Sequence, residues 1–195
     1  AIPSLTVFEG TMGAVENVTG VTKARGYEND TASTDGDGIP SHSICVVVAG
    51  GSDEAIAQAI QVHKTPGTGT FGDVTEIVYD TKGMALAIKF QRAVTATINV
   101  EITLSENAGW SLDYVDLIKQ SVADAINAGL IGESVLITKL YAPAYLNGAV
   151  EGQTFDITTL EISKDSDPVS GSNVTLDFDD NPVCDPDTDI VVNVT

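Results

Sequence analysis

The stretch "VTATINVEITL" (residues 94–104) decides the fold. Apolar residues occupy every second position, with Thr, Asn and Glu between them. The apolar positions are Val94, Ala96, Ile98, Val100, Ile102 and Leu104. Alternation with a period of two predicts a strand that buries one face and leaves the other in water. Its position near the middle of a 195-residue chain indicates that a second sheet begins here.

The residues after this strand alternate between helix and strand patterns. "SLDYVDLIKQSVADAINAG" (111–129) has an apolar stripe at helical spacing, which predicts a helix capped by Ser111 and ended by a left-handed Gly129. The predicted stripe consists of Leu112, Val115, Ile118, Val122, Ala125 and Ile126. "ESVLITKLYAP" (133–143) predicts a strand with a turn of helix before Pro143. Three more strands are predicted at "TFDITTLEIS" (154–163), "NVTLDF" (173–178) and "DIVVNVT" (189–195).

The residues before it predict helix, strand, strand, helix and a hairpin. The first helix is predicted at "SLTVFEGTMGAVENVTG" (4–20), with Ser4 as its cap and with Leu5, Phe8, Met12 and Val15 facing inward. The second helix is predicted at "GGSDEAIAQAIQVHKTPG" (50–67), with Ser52 or Asp53 as its cap and with Ile56 and Ile60 facing inward. Between them lie the predicted strands "VTKARGYEN" (21–29) and "HSICVVVAG" (42–50), and after them the predicted hairpin "DVTEIVYD" (73–80) is joined by "TKG" to "MALAIKFQR" (84–92). The sequence therefore predicts an α+β protein of two small mixed subdomains, residues 1–92 and 93–195. Each has helices packed on a short, mainly antiparallel sheet.

Charge excludes two classes of partner. The chain has 28 acidic and 9 basic residues, a net charge of −19, and its bases are scattered rather than clustered. Binding to a phosphate backbone requires Lys and Arg contacts, so we expect no nucleic-acid partner. Anionic membrane surfaces are disfavoured for the same reason, and no apolar run is long enough to span a bilayer.

"ENDTASTDGDGIPSHSIC" (28–45) resembles a calcium loop in composition. A loop of the EF-hand kind needs oxygen ligands at alternate positions and a distal glutamate. Counting from Asp30 places Ala32 and Thr34 at ligand positions, and counting from Asp35 places Ile39 and Val46 there. Neither register supplies the ligands. We therefore predict a tether between two strands that binds no metal, with a looser cation site as the alternative.

Catalytic patterns are weak in this sequence. A nucleophile at Cys45 would need His42 as its base. In an extended strand, two residues that are three positions apart point to opposite faces, so the two side chains would not meet. Only two histidines and two cysteines are present, and no zinc spacing occurs. We predict that the protein is not an enzyme and has no cofactor.

"GTGTFG" (67–72) formally matches a dinucleotide fingerprint through Gly67, Gly69 and Gly72. That fingerprint works when a strand precedes the glycines and a helix follows, because the helix N-terminus binds the pyrophosphate. Here the predicted helix precedes and the strand follows. The glycines are therefore predicted to reverse the chain, with at least one at positive φ.

Five segments in the same order resemble the baseplate J-like family. They are "YENDT", "GIPSHSICVVVAGG", "EAIAQAI", "KTPGTGTFG" and "LYAP". The resemblance extends from about Val15 to the mid-140s. Members of this family are wedge components of contractile phage tails and related injection machines.

The resemblance implies a structural role through protein–protein contacts in the tail baseplate of a virion, assembled in the bacterial host cytoplasm. It implies contacts with other baseplate proteins, including a tail protein I-like partner, and a homo-oligomer within the ring. It implies no catalytic, cofactor-binding or metal residues. The matched residues Gly38-Ile39-Pro40, His42-Ser43 and Gly50-Gly51 are interpreted as architecture, as are the three glycines of 67–72.

A different function remains open from the residues alone. The alternative is a cation-dependent or carbohydrate-binding adhesion module on a virion or cell surface. A single tryptophan and five tyrosines offer few platforms for stacking sugars. The six aspartates between Asp177 and Asp189 are interpreted as solvated turns.

Overall fold

The computed structural model describes residues 7–195. The chain divides into two compact units, Ala1–Val94 and Thr95–Thr195, close to the predicted division after residue 92. The described residues form four helices and nine strands in two mixed sheets. The predicted α+β fold with two sheet subdomains is confirmed.

The first unit combines two helices with a five-stranded sheet. Its elements are α1 (Val7–Glu16), β1 (Val21–Asn29), β2 (Ser43–Gly50), α2 (Asp53–His63), β3 (Gly69–Phe71), β4 (Val74–Tyr79) and β5 (Ala85–Arg92). Strand β2 pairs antiparallel with β1 and parallel with β3 and β5, and β4 completes an antiparallel hairpin with β5. The core of this unit includes Val15 of α1, Ile56 and Ile60 of α2, and Val46 and Phe90 of the sheet.

Local signals predicted most of this unit. The Ser52 hydroxyl accepts a hydrogen bond from the backbone N–H of Ala55, so the predicted cap of α2 is confirmed. The predicted cap Ser4 and the apolar Leu5 lie outside the described residues. Strand β3 was missed, because three residues carry too short a pattern to separate a strand from a turn.

The second unit packs two helices and two 3₁₀ turns with a four-stranded sheet. Its elements are β6 (Val94–Glu106), α3 (Asp113–Asn127), α4 (Ile137–Ala144), the 3₁₀ turns Leu146–Gly148 and Glu151–Gln153, β7 (Phe155–Lys164), β8 (Asp180–Val183) and β9 (Ile190–Val194). Strand β6 is central, because β7 pairs with it antiparallel, β9 pairs with it parallel, and β8 also pairs with it.

The alternation along β6 is confirmed from Ala96 to Leu104, whose five apolar side chains are almost fully buried. Val94 is the exception, with 51% of its surface exposed. Pairing with β7 begins only at Ile98, so Val94 precedes the paired part of the strand.

Three details of α3 differ from the prediction: its buried stripe, its first residue and its end. Leu112 is exposed and Ala125 lies on the outer side, whereas Ala123 is buried. Ser111 lies just before the cap residue Leu112, and its hydroxyl accepts the N–H of Asp113. Gly129 is not left-handed, since the helix ends through a right-handed Ala128. A Cβ at Gly129 would lie 2.9 Å from the Ile126 carbonyl oxygen, so this glycine provides space rather than a left-handed cap.

Two strands predicted after α3 are absent from the described structure. Residues 137–144 form α4, because Ile137, Leu140 and Ala144 recur at helical spacing and Asn173 Oδ1 accepts the first free N–H of the helix, that of Ile137, at 3.0 Å. Of "NVTLDF" only an isolated bridge from Val174 to Val135 remains. A strand forms instead at β8, "DNPV", whose residues show neither apolar alternation nor a run of β-branched side chains.

Candidate functional site

The acidic loop after β1 joins β1 to β2, as the tether interpretation predicted, and Asn29 organises it. The Asn29 amide donates to the carbonyl oxygens of Ser33 at 2.9 Å and Ile39 at 2.7 Å, and its oxygen accepts the N–H of Thr31 at 3.0 Å. Asp35 Oδ1 accepts the N–H groups of Asp37 and Ile39, at 3.0 and 2.8 Å. This carboxylate oxygen of Asp35 therefore accepts backbone hydrogen bonds within the turn, which supports the interpretation of the loop's aspartates as turn-forming residues.

His42 and Cys45 are not brought together as a catalytic pair. His42 is exposed and precedes β2 with φ +53°, so it is not part of the extended strand that the sequence argument assumed. Cys45 lies within β2 and is fully buried. Because His42 lies outside β2, the argument from the strand period does not apply to it.

The glycines of 67–72 have different roles. Gly67 and Gly72 have positive φ, +86° and +147°, so the prediction of at least one such glycine is confirmed. Gly69 belongs instead to β3, paired parallel with β2 at Ser43. A Cβ on Gly72 would lie 2.0 Å from the Phe90 carbonyl carbon, so the backbone passes too close to β5 for any side chain.

The C-terminal aspartates are not all solvated turns, because Asp180 is 3% exposed. Its Oδ2 accepts hydrogen bonds from Lys164 Nζ and, at 2.8 Å, from the Asp177 N–H. The hydrogen bond to Asp180 raises the pKa of Lys164 above its ordinary value, despite the opposing effect of partial burial. The sequence interpretation missed this ion pair because its partners lie 16 residues apart on β7 and β8.

No cluster of three or more His, Cys, Asp or Glu side chains arranged to hold a metal ion occurs within residues 7–195. In the same range, no helix is both long enough and apolar enough to cross a membrane. Two grooves on the surface of the second unit lie beside α3.

An open groove of about 690 Å³ lies along one side of α3. We call it the α3 groove and define it by six of its lining residues: Leu117, Asp124, Ala125, Pro143, Leu146 and Glu151. Leu117 is half exposed at 50%, and it lines the groove together with other apolar side chains. The groove therefore combines exposed apolar side chains with polar and acidic ones.

The far wall of the groove is held in a left-handed conformation. Leu146, Asn147 and Gly148 have φ values of +51°, +54° and +80° in succession. A non-glycine residue in this region costs about 1–3 kcal/mol, so surrounding contacts must hold it. The adjoining Tyr145 supplies them: its ring stacks on that of Phe155, and its hydroxyl oxygen accepts the N–H of Ile157 at 2.9 Å.

A second, smaller groove of about 240 Å³ lies nearer the C-terminal end of α3, between that helix and α4, and it shares Ala125 with the α3 groove. It contains its own ion pair, with Lys139 Nζ 3.5 Å from Glu133 Oε1. The α3 groove differs, because its lining includes the carboxylates Asp124 and Glu151 and no cation among the described residues.

Sequence reasoning did not single out Leu117, although a signal was present. The predicted inward stripe of α3 does not include Leu117, so a leucine was left on the polar face of an amphipathic helix. The opposite wall carried a partial signal, because Asn147-Gly148 is typical of a left-handed turn, whereas Leu146 gives no such signal.

No protein-family model matches the chain, and a search of curated proteins finds no significant match. The resemblance to the baseplate J-like family stays a prediction from the sequence.

Proposed function

We propose that the protein is a structural component of a contractile tail baseplate, a wedge subunit of a phage or of a prophage-derived injection machine. The observation that carries the proposal is the α3 groove, an open and partly apolar surface with a half-exposed Leu117. Such a surface favours binding to another protein over chemistry on a small substrate.

The matched motifs support this proposal through their positions. Gly50 and Gly51 end β2 with φ values of +75° and +72°, and a Cβ on Gly50 would lie 2.2 Å from the Gly20 carbonyl oxygen. Ile39 is 1% exposed and anchors the acidic loop. These residues build the first unit, which is the role that the resemblance assigns to them.

In this proposal the protein acts through contacts with other baseplate proteins, including a tail protein I-like partner, and assembles with copies of itself within a ring. It is not an enzyme, and its place is the tail baseplate of a virion assembled in the host cytoplasm.

Co-expression with the tail genes that neighbour its own gene tests this role. We expect a tail protein to co-purify with the affinity-tagged chain in a stable ratio. Tight binding of a glycan, with no tail protein in the purified material, would overturn the proposal in favour of the adhesion module.

A further inference from the structure

We propose that the α3 groove is the docking site for an amphipathic helix of a partner protein, with apolar side chains facing the groove and Lys or Arg beside them. This inference rests on the proposed structural role, since it names the surface and the partner chemistry through which that role operates. Size, apolar lining and charge each support it.

The size of the groove suits a helix. Leu117 and Asp124 border it from α3 and lie seven residues apart, about 10 Å along the helix axis at 1.5 Å per residue. Two turns of a partner helix cover that length and present anchors at positions i, i+3 or i+4, and i+7. The opposite wall is fixed, because Tyr145 stacks on Phe155 beside the left-handed turn, so little ordering is required on binding.

The apolar lining provides the favourable free energy. Leu117 and Ala125 contribute it from α3, and Pro143 and Leu146 from the other side. Leu117 remains half exposed in the isolated chain, so covering it removes apolar surface from water.

Charge selects the partner. Asp124 and Glu151 line the groove from opposite sides, and within the described residues neither forms a salt bridge. The Gln120 amide donates to one oxygen of Asp124 at 2.8 Å, which leaves the other oxygen open to a partner cation. With a net charge of −19 on the chain, a helix rich in Lys or Arg is attracted and steered to this surface.

The same charges disfavour other occupants. A second copy that docked symmetrically would bring its own Asp124 and Glu151 against those of the first copy. An anionic lipid surface meets the same repulsion. The neighbouring groove, with its internal Glu133–Lys139 pair, lacks this unbalanced charge and is not proposed as the site.

Two designed peptides test the inference directly. Both have 18 residues and identical leucine positions at i, i+3, i+4 and i+7, and one has lysine where the other has glutamate. Titrated into the ¹⁵N-labelled full chain, the lysine peptide should shift the amide signals of Leu117, Asp124 and Glu151 and bind at least tenfold more tightly than the glutamate peptide. Equal affinity for the two peptides, or shifts centred on Glu133 and Lys139, would overturn the inference.

Matched variants locate the binding. Leu117→Ser should weaken the lysine peptide about tenfold, whereas Leu112→Ser should change binding less than twofold, because Leu112 is 71% exposed but does not line the groove. The double variant Asp124→Asn with Glu151→Gln should weaken binding about threefold to tenfold and reduce its salt dependence. Equal effects of Leu117→Ser and Leu112→Ser would contradict the assignment.

The same variants separate this inference from the proposed function. If a tail protein co-purifies equally with wild type and with Leu117→Ser, the docking site is wrong and the structural role stands. If no tail protein co-purifies while the lysine peptide binds with the predicted charge dependence, the docking site stands and the baseplate role fails.

Discussion

Replacing Asp180 with alanine should destabilise the second unit strongly, although the residue lies in a stretch that looks like acidic surface. Asp180 is 3% exposed, and its Oδ2 accepts from both Lys164 Nζ and the Asp177 N–H. Alanine removes both hydrogen bonds and leaves the Lys164 ammonium without its closest partner. The second unit should therefore unfold more easily.

The magnitude follows from the burial of each partner. Breaking a fully buried ion pair by removing one member costs about 3–5 kcal/mol. The Lys164 side chain is 25% exposed and regains some hydration, so we expect a loss of about 2–3 kcal/mol in the free energy of unfolding. For a unit of this size that corresponds to a fall in Tm on the order of 10–20 °C.

The single tryptophan provides the assay. Trp110 lies in the second unit, with its ring centroid 5.4 Å from that of Phe155, so its fluorescence during urea unfolding reports on this unit. The matched control is Asp177→Ala, because Asp177 faces the same lysine at 3.7 Å but its side chain is 84% exposed. That control should lose less than about 0.5 kcal/mol. Equal losses in the two variants would refute the assignment of Asp180 as a buried structural partner.

The ion pair also predicts a dependence on pH. The pKa of Lys164 is raised above 10.5 by its hydrogen bond with Asp180, so the folded state holds this proton more tightly than the unfolded state. The resulting stability is fully present below about pH 10.5 and is lost as the pH rises through the raised pKa. The difference between wild type and Asp180→Ala should therefore be constant near pH 7 and shrink above pH 10.5.

Three further outcomes are expected. Gly72→Ala should lower the free energy of unfolding by more than about 2 kcal/mol, because the new Cβ would meet the Phe90 carbonyl group. Gly67→Ala, at an open position, should lower it by about 1 kcal/mol, and equal urea midpoints for the two variants would contradict the close approach at Gly72. Burial raises the pKa of the Cys184 thiol to about 12, so its contribution to the free energy of unfolding should fall between about pH 9 and 12. Cys184 should also resist alkylation at pH 8 until urea unfolds the protein, and rapid labelling of Cys184 in the native protein would refute its burial. The loop of residues 30–38 should need no metal, so a calcium-dependent rise in Tm relative to chelator would revive the cation-dependent adhesion module.

Prediction from the sequence worked where the signal was local. The strand β6 could be predicted because burial of one face imposes a period of two from Ala96 to Leu104. The start of α2 could be predicted because the hydroxyl of Ser52 satisfies a backbone N–H only three residues away. In both cases the pattern and its physical cause lie within a few residues of each other.

Prediction failed where a partner distant in sequence decides the structure. Asn173 accepts the first free N–H of α4 although it lies 36 residues further along the chain. The residues around "VLIT" (135–138) contain no sign of this partner, so their β-branched pattern predicted a strand. From the sequence, Asp180 could not be distinguished from the neighbouring surface aspartates, because its partner Lys164 lies 16 residues away on β7. The α3 groove depends on the left-handed turn after Tyr145, where Asn147-Gly148 is typical of such turns but Leu146 is not.

The position of the protein in an assembled particle tests the proposed baseplate role. Purified tails or injection particles from cells that carry this gene can be labelled with gold-conjugated antibody against the chain and imaged by electron microscopy. We expect label at the baseplate end of the tail, and we expect assembly to stop before a complete baseplate when the gene is deleted. Label confined to a fibre or cell surface, with normal baseplates in the deletion strain, would contradict it.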